Sequence, residues 1–520
     1  NMVANHAIVS QWYLQSFLSS NDKQKVGHWF ISTGGHHGSY PFGFKGKIGP
    51  VFEGGIDWFV SLRKELLGKL IQVFGSLPSE SGKGEEERVH YLTGFTILAD
   101  WIGSNMDDDW FPSSLGSDPE SLKSRAIDVV DRLGLNAQVK HGLSFGEQFA
   151  PSAPDSFTPR ELQSMLLKAS DSPGLYVVEA PMGIGKTEAA LSAAYKRWTE
   201  GEEKGLYFAL PTQLTSNKIH DRITSFLENT LGKAAVQTLV HGNAWLSEKS
   251  TQTLTPKFND EASNSPELDH NDTDEVLLWY SDSRKALIAP FGTGTIDQAL
   301  LAVLPARFAA LRYFALAGKV VVIDEVHSYD PYMSNLIDRL INHLLKAGST
   351  VIILSATLTA KRRAALVAAA GAKETTPTNA YPLITKVSTG SIAAQHFTAH
   401  GELESKSVRL HHYFQHEDTE NDFWEDITGK VEAGANVVVI RNSVALAQQT
   451  YRLLKSLLTE TIADEGTVLL HSRFPRWYRT KNEEHWIGIL GKDESRRPNG
   501  SLLVSTQIVE QSVDIDADLL

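Results

Sequence analysis

The spacing of hydrophobic residues differs between two parts of the chain. In residues 1–145, apolar positions recur at three- and four-residue spacing, for example over 8–17 and 58–70, which is typical of amphipathic helices. Farther along, short apolar runs alternate with helical stretches; the runs are 175–178, 206–210, 320–323, 351–354, 437–440 and 502–504. Short β-branched runs that alternate with helices predict parallel sheets buried on both faces. We therefore expect a mainly α-helical N-terminal domain followed by α/β lobes.

Shifts in composition predict the domain boundaries. Residues 146–158 are rich in proline and serine, which is typical of a linker, so the helical domain is expected to span 1–145. A polar and acidic stretch at about 247–275 predicts a surface insertion within a first α/β lobe, 159–399. A second charged stretch, beginning at 400, is expected to open a second lobe, 400–520.

The overall composition is that of an ordinary soluble, multidomain protein. The chain has 520 residues, of which 42% are apolar and 21% charged. Because it has no cysteine, disulfides and thiolate chemistry are excluded, and any metal must bind to histidines and carboxylates. No apolar run resembles a signal peptide or a membrane span, so we expect a cytoplasmic protein without membrane contact. The net charge of −13 argues against general coating of nucleic acid but allows a local basic channel.

A phosphate-binding loop follows the first predicted strand. The segment APMGIGKT, from Ala180 to Thr187, has the Walker A arrangement with alanine in place of the first glycine. Small residues such as Gly183 and Gly185 let backbone N–H groups face a phosphate at the positive end of the next helix. Lys186 is expected to contact the β- and γ-phosphates of ATP, and the Thr187 hydroxyl to ligate Mg²⁺. A chance glycine-rich turn is the alternative, but a strand before and a helix after favour the nucleotide site.

An acidic pair follows the run 320–323. The carboxyl ends of parallel strands are where ligands bind in α/β sheets, so Asp324 is expected to hold Mg²⁺ there. Glu325 is placed to orient or deprotonate the attacking water. Together with Lys186, these two carboxylates are the predicted catalytic residues for hydrolysis of the nucleotide.

Further motifs, in the expected order, resemble those of a superfamily 2 helicase. The resemblance implies two RecA-like lobes that close on ATP, with Gln163 and Arg160 at the adenine and Phe157 as a stacking partner. It also implies loops that contact DNA or couple the lobes, at Pro211, Thr212, Gln213, Thr295, Asp297, Ser355, Thr357, Arg441, Asn442, Arg473, Thr506, Gln511 and Asp514. The helicase motif that carries a final arginine would lie after residue 520, so the second lobe is expected to be incomplete.

Histidines are the main candidate ligands in the helical half. His36 and His37 are adjacent in a glycine-rich segment, and His6 precedes them. Histidines gathered near a carboxylate bind transition metals, although an exposed histidine pair beside a turn is the simpler interpretation. Asp100 lies among apolar helix neighbours, and we expect it to be buried and to need a cation or several hydrogen-bond donors.

The order of these parts resembles the type I CRISPR-associated nuclease-helicase family, and in detail its type I-E branch. In that family an HD phosphohydrolase domain precedes a superfamily 2 helicase; the most specific matching segments are 5–6, 35–38, 98–101, 294–298 and 324–330. The resemblance implies that His6, His36 and His37 hold one of two transition metals, manganese, nickel, cobalt or iron, and that Asp100 helps to hold the other. The family's His-Asp dyad would precede His6, so we expect a chain truncated at both ends and impaired in both activities.

The function implied by this resemblance is destruction of invader DNA in CRISPR interference. The chain would be an ATP-dependent 3′-to-5′ single-stranded DNA translocase and helicase, coupled to a metal-dependent single-stranded DNA endonuclease. Its expected partners are the displaced strand of an R-loop and a guide-RNA surveillance complex, and it is expected to be monomeric. Cations at 361–363, 473, 476, 479 and 481 are candidates to line the strand path, with a solvated charged face as the alternative.

Two other functions stay open from the sequence. The chain could be a superfamily 2 helicase of nucleic-acid repair or RNA metabolism, with N-terminal helices that only dock partners. It could also be a binding protein that retains ATP but does not move. Metal binding by a form restored at its N-terminus, and ATP hydrolysis stimulated by single-stranded DNA, discriminate these from the nuclease-helicase.

Overall fold

The computed structural model describes most of the chain. The described residues are 86–105, 110–111, 118–211, 216–231, 279–280, 285–373, 378–399, 408–413, 420–471, 473–475, 497–509 and 517–520, with isolated positions at 35, 37–38, 65, 68–69, 478, 481–482, 486 and 490. They fall into two compact units, Asn1–Glu402 and Leu403–Leu520. The helix predicted over 8–17 and the insertion predicted at 247–275 lie outside the described residues.

The described part of the N-terminal half is helical, as predicted. Helix α1 spans Glu86–Gly103, and helix α2 spans Pro119–Arg132. Helix α2 begins with an Asp118 side chain that accepts a hydrogen bond from the Ser121 N–H, followed by a proline in the first turn. Both helices bury apolar residues, including Ile97 and Val129, in one hydrophobic cluster.

The segment predicted to be a linker contains two short helical turns that approach each other. Helix α3, Phe145–Phe149, starts with a capping box in which Ser144 and Glu147 exchange hydrogen bonds, and a 3₁₀ turn spans Pro154–Ser156. A Cβ atom on Gly146 would lie 2.0 Å from the Pro154 carbonyl oxygen, so the two turns approach each other closely. Proline and serine therefore mark irregular backbone here; the helix at the start of the segment is largely buried, whereas most residues from 151 to 158 are exposed.

The first unit contains a seven-stranded sheet. Its strands are β1 Gly174–Glu179, β2 Leu206–Leu210, β3 Phe291–Thr295, β4 Val320–Ile323, β5 Thr350–Ser355, β6 Leu383–Ser388 and β7 Gln395–Thr398. Their order is β3-β2-β4-β5-β1-β6-β7. The helices of this α/β lobe are α4 Glu161–Ala169, α5 Lys186–Glu200, α6 Ser216–Thr230, α7 Ile296–Leu300, α8 Ala309–Leu316, α9 Pro331–Lys346 and α10 Ala360–Ala369.

The sheet is mixed, whereas the sequence predicted a parallel one. Strands β1 to β5 pair in parallel, but β6 runs antiparallel to β1, and β7 runs antiparallel to β6. The apolar-run pattern missed β3, β6 and β7. Strand β3 contains two glycines, and β7 is an edge strand with a mostly polar sequence, so neither shows the continuous apolar run of a central strand.

The second unit contains a parallel sheet of three described strands. Strands β8 Asn436–Ile440, β9 Thr467–Leu470 and β10 Ser501–Ser505 are arranged in the order β8-β10-β9. Helices α11 Glu420–Glu432, α12 Val444–Leu457 and α13 Glu460–Glu465 accompany them. Among the helices that the structure describes, none is long and apolar enough to span a membrane.

Candidate active site

The loops after β1, β4 and β5 meet at one edge of the first sheet. Strand β5 lies between β4 and β1, and all three run in the same direction. At this edge the Ala180 N–H donates to the Ser355 carbonyl oxygen (3.1 Å), and the Asp324 N–H donates to the Ala209 carbonyl oxygen (3.0 Å). The sheet therefore brings together the predicted phosphate loop, the acidic pair and the segment Ser-Ala-Thr at 355–357, which we call the Ser-Ala-Thr motif.

The phosphate loop holds its lysine in a buried position. Gly183 and Gly185 have left-handed φ angles of +77° and +86°, which glycine adopts without steric cost. The Lys186 Nζ donates to the carbonyl oxygens of Ala180 (2.7 Å) and Pro181 (3.4 Å). Burial lowers the pKa of Lys186, while the charges of Glu325 and Asp324 act in the opposite direction. The ammonium group is thus positioned inside the loop, where a phosphate would meet it.

Arg160 and Gln163 contact the phosphate loop directly. The Gln163 Nε2 donates to the Gly185 carbonyl oxygen (3.1 Å), and its Oε1 accepts from the Arg160 N–H (2.8 Å). The Arg160 Nη1 donates to the Gly183 carbonyl oxygen (2.9 Å). Phe157 is 38% exposed and stacks on Phe145, with ring centroids 5.7 Å apart. These contacts give the two polar side chains a role in shaping the loop; their predicted contact with adenine stays a prediction.

Asp324 is a buried carboxyl group beside a strained residue. Burial, and after it the charge of Glu325, raise the pKa of Asp324 to about 7. The hydrogen bond from the Glu325 N–H and the charge of Lys186 act to lower this pKa, but they are the smaller effects. Glu325 has φ +51°, a conformation that costs a non-glycine residue on the order of 1–3 kcal/mol and clusters at functional sites. Its N–H donates to the Asp324 Oδ1 (2.9 Å). A buried carboxyl with a raised pKa near a lysine suits a cation site, since a bound cation would favour the ionised form.

His327 joins the acidic pair to the Ser-Ala-Thr motif. Its Nδ1 lies 3.1 Å from the Ser355 Oγ and 3.1 Å from the Glu325 Oε2. Ser355, in turn, donates to the Thr357 carbonyl oxygen (3.0 Å). The sequence assigned His327 no role; it lies on a short 3₁₀ turn, Val326–Ser328, which begins directly after the acidic pair. Through this imidazole, the loops after β4 and β5 are connected.

The other predicted DNA-contacting residues of this unit that the structure describes lie at the same edge. Thr295 is the last residue of β3, and its carbonyl oxygen accepts a hydrogen bond from the Tyr207 Oη (2.9 Å). Asp297 is exposed in the first turn of α7, and Pro211 follows β2 directly. Thr212 and Gln213 lie outside the described residues. Tyr207 was not singled out from the sequence, because a tyrosine inside an apolar strand shows no functional signal.

Two of the cations proposed to line the strand path form ion pairs within the first unit. The Arg363 Nη1 donates to both carboxylate oxygens of Glu179 (3.0 and 3.2 Å), and each side chain is about 5% exposed. The Arg362 Nη1 binds both oxygens of Asp338 (2.8 and 2.9 Å). Of the cations at 361–363, only Lys361 is exposed without such a pairing among the described contacts. The prediction for 363 was therefore wrong, because the rotation of the helix buries this side chain against Glu179; for the partly exposed Arg362 the role stays a prediction.

In the second unit, the predicted motifs also follow strand ends. Arg441 follows β8, and its N–H donates to the Ser505 carbonyl oxygen (2.8 Å). Thr506 follows β10 and is buried, whereas Asn442 and Arg473 are exposed. Gln511 and Asp514 lie outside the described residues. The coupling roles of these residues stay predictions.

The predicted nuclease ligands are only partly described. His37 is half-buried, and Asp100 is exposed on α1; His6 and His36 lie outside the described residues. The expected burial of Asp100 was wrong, because Ile97 and Leu98 occupy the buried face of α1 and Asp100 points away from it. No group of three or more potential ligands forms a metal site within the described residues. The donor types suit transition metals, but metal ligation by these residues stays a prediction.

These features define a class of protein before any comparison. A glycine-rich phosphate loop, an acidic pair with a buried aspartate and a Ser-Ala-Thr loop at one sheet edge are the parts of a P-loop nucleotide-binding lobe with RecA-like topology. Here that lobe is preceded by packed helices and followed by a second α/β unit.

Comparison with known proteins identifies the family. Residues 2–111 match a family model described as "Cas3, HD domain", and residues 433–520 match "CRISPR-associated nuclease/helicase Cas3, C-terminal". The chain is 30% identical over 558 aligned residues to a CRISPR-associated nuclease/helicase Cas3 of Streptococcus thermophilus, covering 99% of this chain and 57% of that protein. The chain belongs to the Cas3 family.

Solved structures agree with this assignment. The structure titled T. fusca Cas3-AMPPNP matches 99% of this chain and 60% of its own, with a TM-score of 0.79 and 28% identity. A chain in "CRISPR RNA-guided surveillance complex, pre-nicking" matches all of this chain and 58% of its own, with a TM-score of 0.69 and 27% identity. The chain thus spans somewhat over half the length of these relatives.

Proposed function

We propose that this chain is the nucleotide-driven part of a CRISPR interference enzyme, which moves along single-stranded DNA and is coupled to a DNA nuclease. The observation that carries the proposal is the grouping of Lys186, Asp324 and Glu325 at one sheet edge, with His327 connecting them to Ser355. Such a connection gives changes at the nucleotide a route to a second loop of the lobe.

The phosphate loop and the acidic pair would hold ATP and Mg²⁺. Lys186 would bind the phosphates once its ammonium exchanges its carbonyl partners for phosphate oxygens. Thr187 and Asp324 would hold Mg²⁺, which neutralises charge on the phosphates when bound. Glu325 would accept a proton from the attacking water or orient it, with His327 beside it to fix the carboxylate. The nucleotide analogue named with a structural relative supports ATP as the nucleotide.

The proposed nucleic-acid partner is the displaced single strand of an R-loop. Thr295, Asp297, Thr357 and the loops of the second unit, including Arg441 and Thr506, would contact its backbone. A motor that binds phosphates and sugars is largely indifferent to base sequence. The relative found in a guide-RNA surveillance complex supports recruitment of this chain by such a complex. Movement from 3′ to 5′, action as a monomer and membership of the type I-E branch belong to the same proposal.

The nuclease reaction is proposed for the helical half. His6, His36 and His37 would hold one of two transition-metal ions, manganese, nickel, cobalt or iron, and Asp100 would help to hold the other; such a pair would activate water for attack on a phosphodiester. The match of residues 2–111 to the HD-domain family supports this assignment over helices that merely dock partners.

Hydrolysis of ATP stimulated by single-stranded DNA tests the motor. In the full-length protein, Lys186→Ala should reduce the stimulated rate by at least about 100-fold, because a charge aimed at the transferred phosphate is lost. The control is Lys204→Ala, which removes an exposed lysine of the same lobe. A wild-type protein whose ATP turnover ignores single-stranded DNA would refute the motor.

Direction of movement has its own test. Duplexes with either a 3′ or a 5′ single-stranded overhang are incubated with the protein and ATP, and strand separation is followed. The proposed 3′-to-5′ movement predicts unwinding of the 3′-overhang duplex alone. Unwinding that depends on the 5′ overhang would leave the motor intact and reverse its direction.

A further inference from the structure

Phe308, at the start of α8, has an unusual backbone conformation. Its φ of +62° lies in the left-handed region, which a bulky side chain strongly disfavours. Among the described non-glycine residues, only Phe308 and Glu325 have a positive φ. Such conformations persist where the surrounding contacts fix them, and they concentrate at functional sites. Glu325 lies in the candidate active site, so the other residue with a positive φ, Phe308, is also a candidate for a functional role.

Phe308 contacts Gly38, which follows the two adjacent histidines in the sequence. We call residues 35–38, Gly-His-His-Gly, the histidine loop. The left-handed backbone directs the Phe308 N–H to the Gly38 carbonyl oxygen, at 2.8 Å. A Cβ atom on Gly38 would lie 2.6 Å from two carbon atoms of the Phe308 ring, so the ring fills the space that glycine leaves open. Gly38 itself has φ +90°.

The same ring packs on the helix that carries Asp100. The Trp101 ring meets Phe308 edge-on, with centroids 5.4 Å apart, and the Arg307 guanidinium carbon lies 4.9 Å from the Phe308 ring centroid. Phe308 is only 7% exposed. Its hydrophobic cluster takes residues from the N-terminal helices, such as Ile97, and from α8, such as Leu311. The helical half and the first α/β lobe therefore share one core at this point.

We propose that Phe308, a residue of the nucleotide-binding lobe, is a positioning residue for the nuclease reaction. It contacts Gly38 of the histidine loop through one backbone hydrogen bond and its ring, and the same ring contacts Trp101 of α1, so that it fixes the position of the described end of this loop relative to the helix that carries Asp100. The proposal rests on the nuclease function proposed above. It implies that the helical half needs the adjacent lobe to form its reaction site.

Two substitutions distinguish the contribution of the Phe308 ring from that of its left-handed backbone conformation. Phe308→Ala removes the ring and keeps a side chain that resists the left-handed conformation, whereas Phe308→Gly removes the ring and permits that conformation. In the full-length protein, both should raise deuterium uptake in a peptide covering the histidine loop. Both should also reduce nicking of single-stranded DNA with manganese by about 10- to 100-fold, because small misplacements of reacting groups are costly. ATP turnover should stay unchanged.

Phe314→Ala is the matched control. Phe314 is also on α8, and its ring meets Tyr91 and Phe95 of α1, with centroids 5.0 and 6.0 Å apart. The variant therefore removes a phenyl group from the same α1–α8 interface without touching Gly38. It should lower the melting temperature and leave deuterium uptake by the histidine loop as in the wild type.

A double substitution tests the contact itself. Gly38→Ala places a methyl group against the Phe308 ring, so it should disturb the histidine loop in the wild-type background. In the Phe308→Gly background the steric contact is gone and only the backbone strain of alanine at φ +90° remains, so Gly38→Ala should add less to loop exchange and to the nicking defect than it does in the wild type. Independent effects of the two substitutions, or wild-type loop exchange in both Phe308 variants, would overturn the proposal. A wild-type protein that nicks no DNA would instead refute the nuclease function, while the exchange data would still decide the role of Phe308.

Discussion

The Nδ1 of His327 lies 3.1 Å from the Oγ of Ser355, and this contact joins the loop after β4 to the loop after β5. Glu325, the proposed base, shares the same nitrogen atom at 3.1 Å. One imidazole proton can serve only one of these oxygens at a time, so the ring can change partner without moving far. That property suits a connection between nucleotide chemistry and the loop after β5, which is proposed to contact DNA.

Removal of this connection should slow ATP turnover. His327→Ala and Ser355→Ala should each reduce the DNA-stimulated rate by about 2- to 12-fold, the range expected for loss of one hydrogen bond. Because the two side chains share one contact, the double variant should be little worse than the worse single variant. His343→Ala, on the far part of α9, is the control. Fully additive effects in steady-state ATPase assays would show that the contact does not couple the loops.

The Tyr207 hydroxyl should influence DNA affinity. It donates to the Thr295 carbonyl oxygen (2.9 Å), and a Cβ on Gly294 would lie 2.4 Å from the same hydroxyl. Tyr207→Phe should therefore raise the DNA concentration that half-activates ATP hydrolysis by about 2- to 12-fold. Tyr176→Phe is a matched control. Its hydroxyl also donates to a carbonyl oxygen, that of Ser172, but this residue lies just before β1 begins, at the edge of the sheet opposite the candidate active site. Equal half-activation in wild type and Tyr207→Phe would contradict the prediction.

Gly94 allows close packing of α1 on α8. A Cβ at this position would lie 2.3 Å from the Phe314 Cβ and 2.4 Å from the Ala310 carbonyl oxygen. Gly94→Ala should destabilise the protein by about 1–3 kcal/mol, because neither the helix backbone nor a Cβ can yield easily. Gly103→Ala, in the last turn of the same helix, meets nothing within 4 Å and should have no such cost. Urea unfolding measures both; equal stability of the two variants would contradict the packing argument.

Lys319 should make stability depend on pH. It is buried, and its Nζ donates to the carbonyl oxygens of Leu287 (3.0 Å) and Ala289 (2.6 Å). Burial lowers the pKa of Lys319 from 10.5 to about 7. Between these two values the unfolded chain holds a proton that the folded chain lacks, so the free energy of unfolding rises with pH in that window. Below about pH 7 both states are protonated, and the cost of burying the charge is fully present.

Lys319→Met removes this titration. The free energy of unfolding of the wild type, measured relative to Lys319→Met by urea unfolding, should increase from about pH 7 to about pH 9. The exposed Lys204→Met variant should show no such trend. A difference between wild type and Lys319→Met that stays constant over this range would mean that the buried amine keeps its proton.

Local sequence pattern was sufficient for several parts of this protein. The helical N-terminal half, the central parallel strands and the phosphate loop with Gly183, Gly185 and Lys186 could all be predicted. Each depends on short-range properties: the periodicity of apolar positions, the freedom of glycine at positive φ, and the order strand, loop, helix. For the same reason, the acidic pair after β4 was predicted at a strand end.

Only the tertiary structure decided which distant residues meet. The Phe308–Gly38, His327–Ser355 and Arg363–Glu179 contacts depend on strand order and helix rotation, which no local pattern specifies. The same holds for the antiparallel strands β6 and β7 and for the exposure of Asp100, which its apolar neighbours suggested was buried. Residues far apart in sequence become neighbours only when the whole chain buries its apolar surface, and that global free energy, rather than any single segment, selects the contacts.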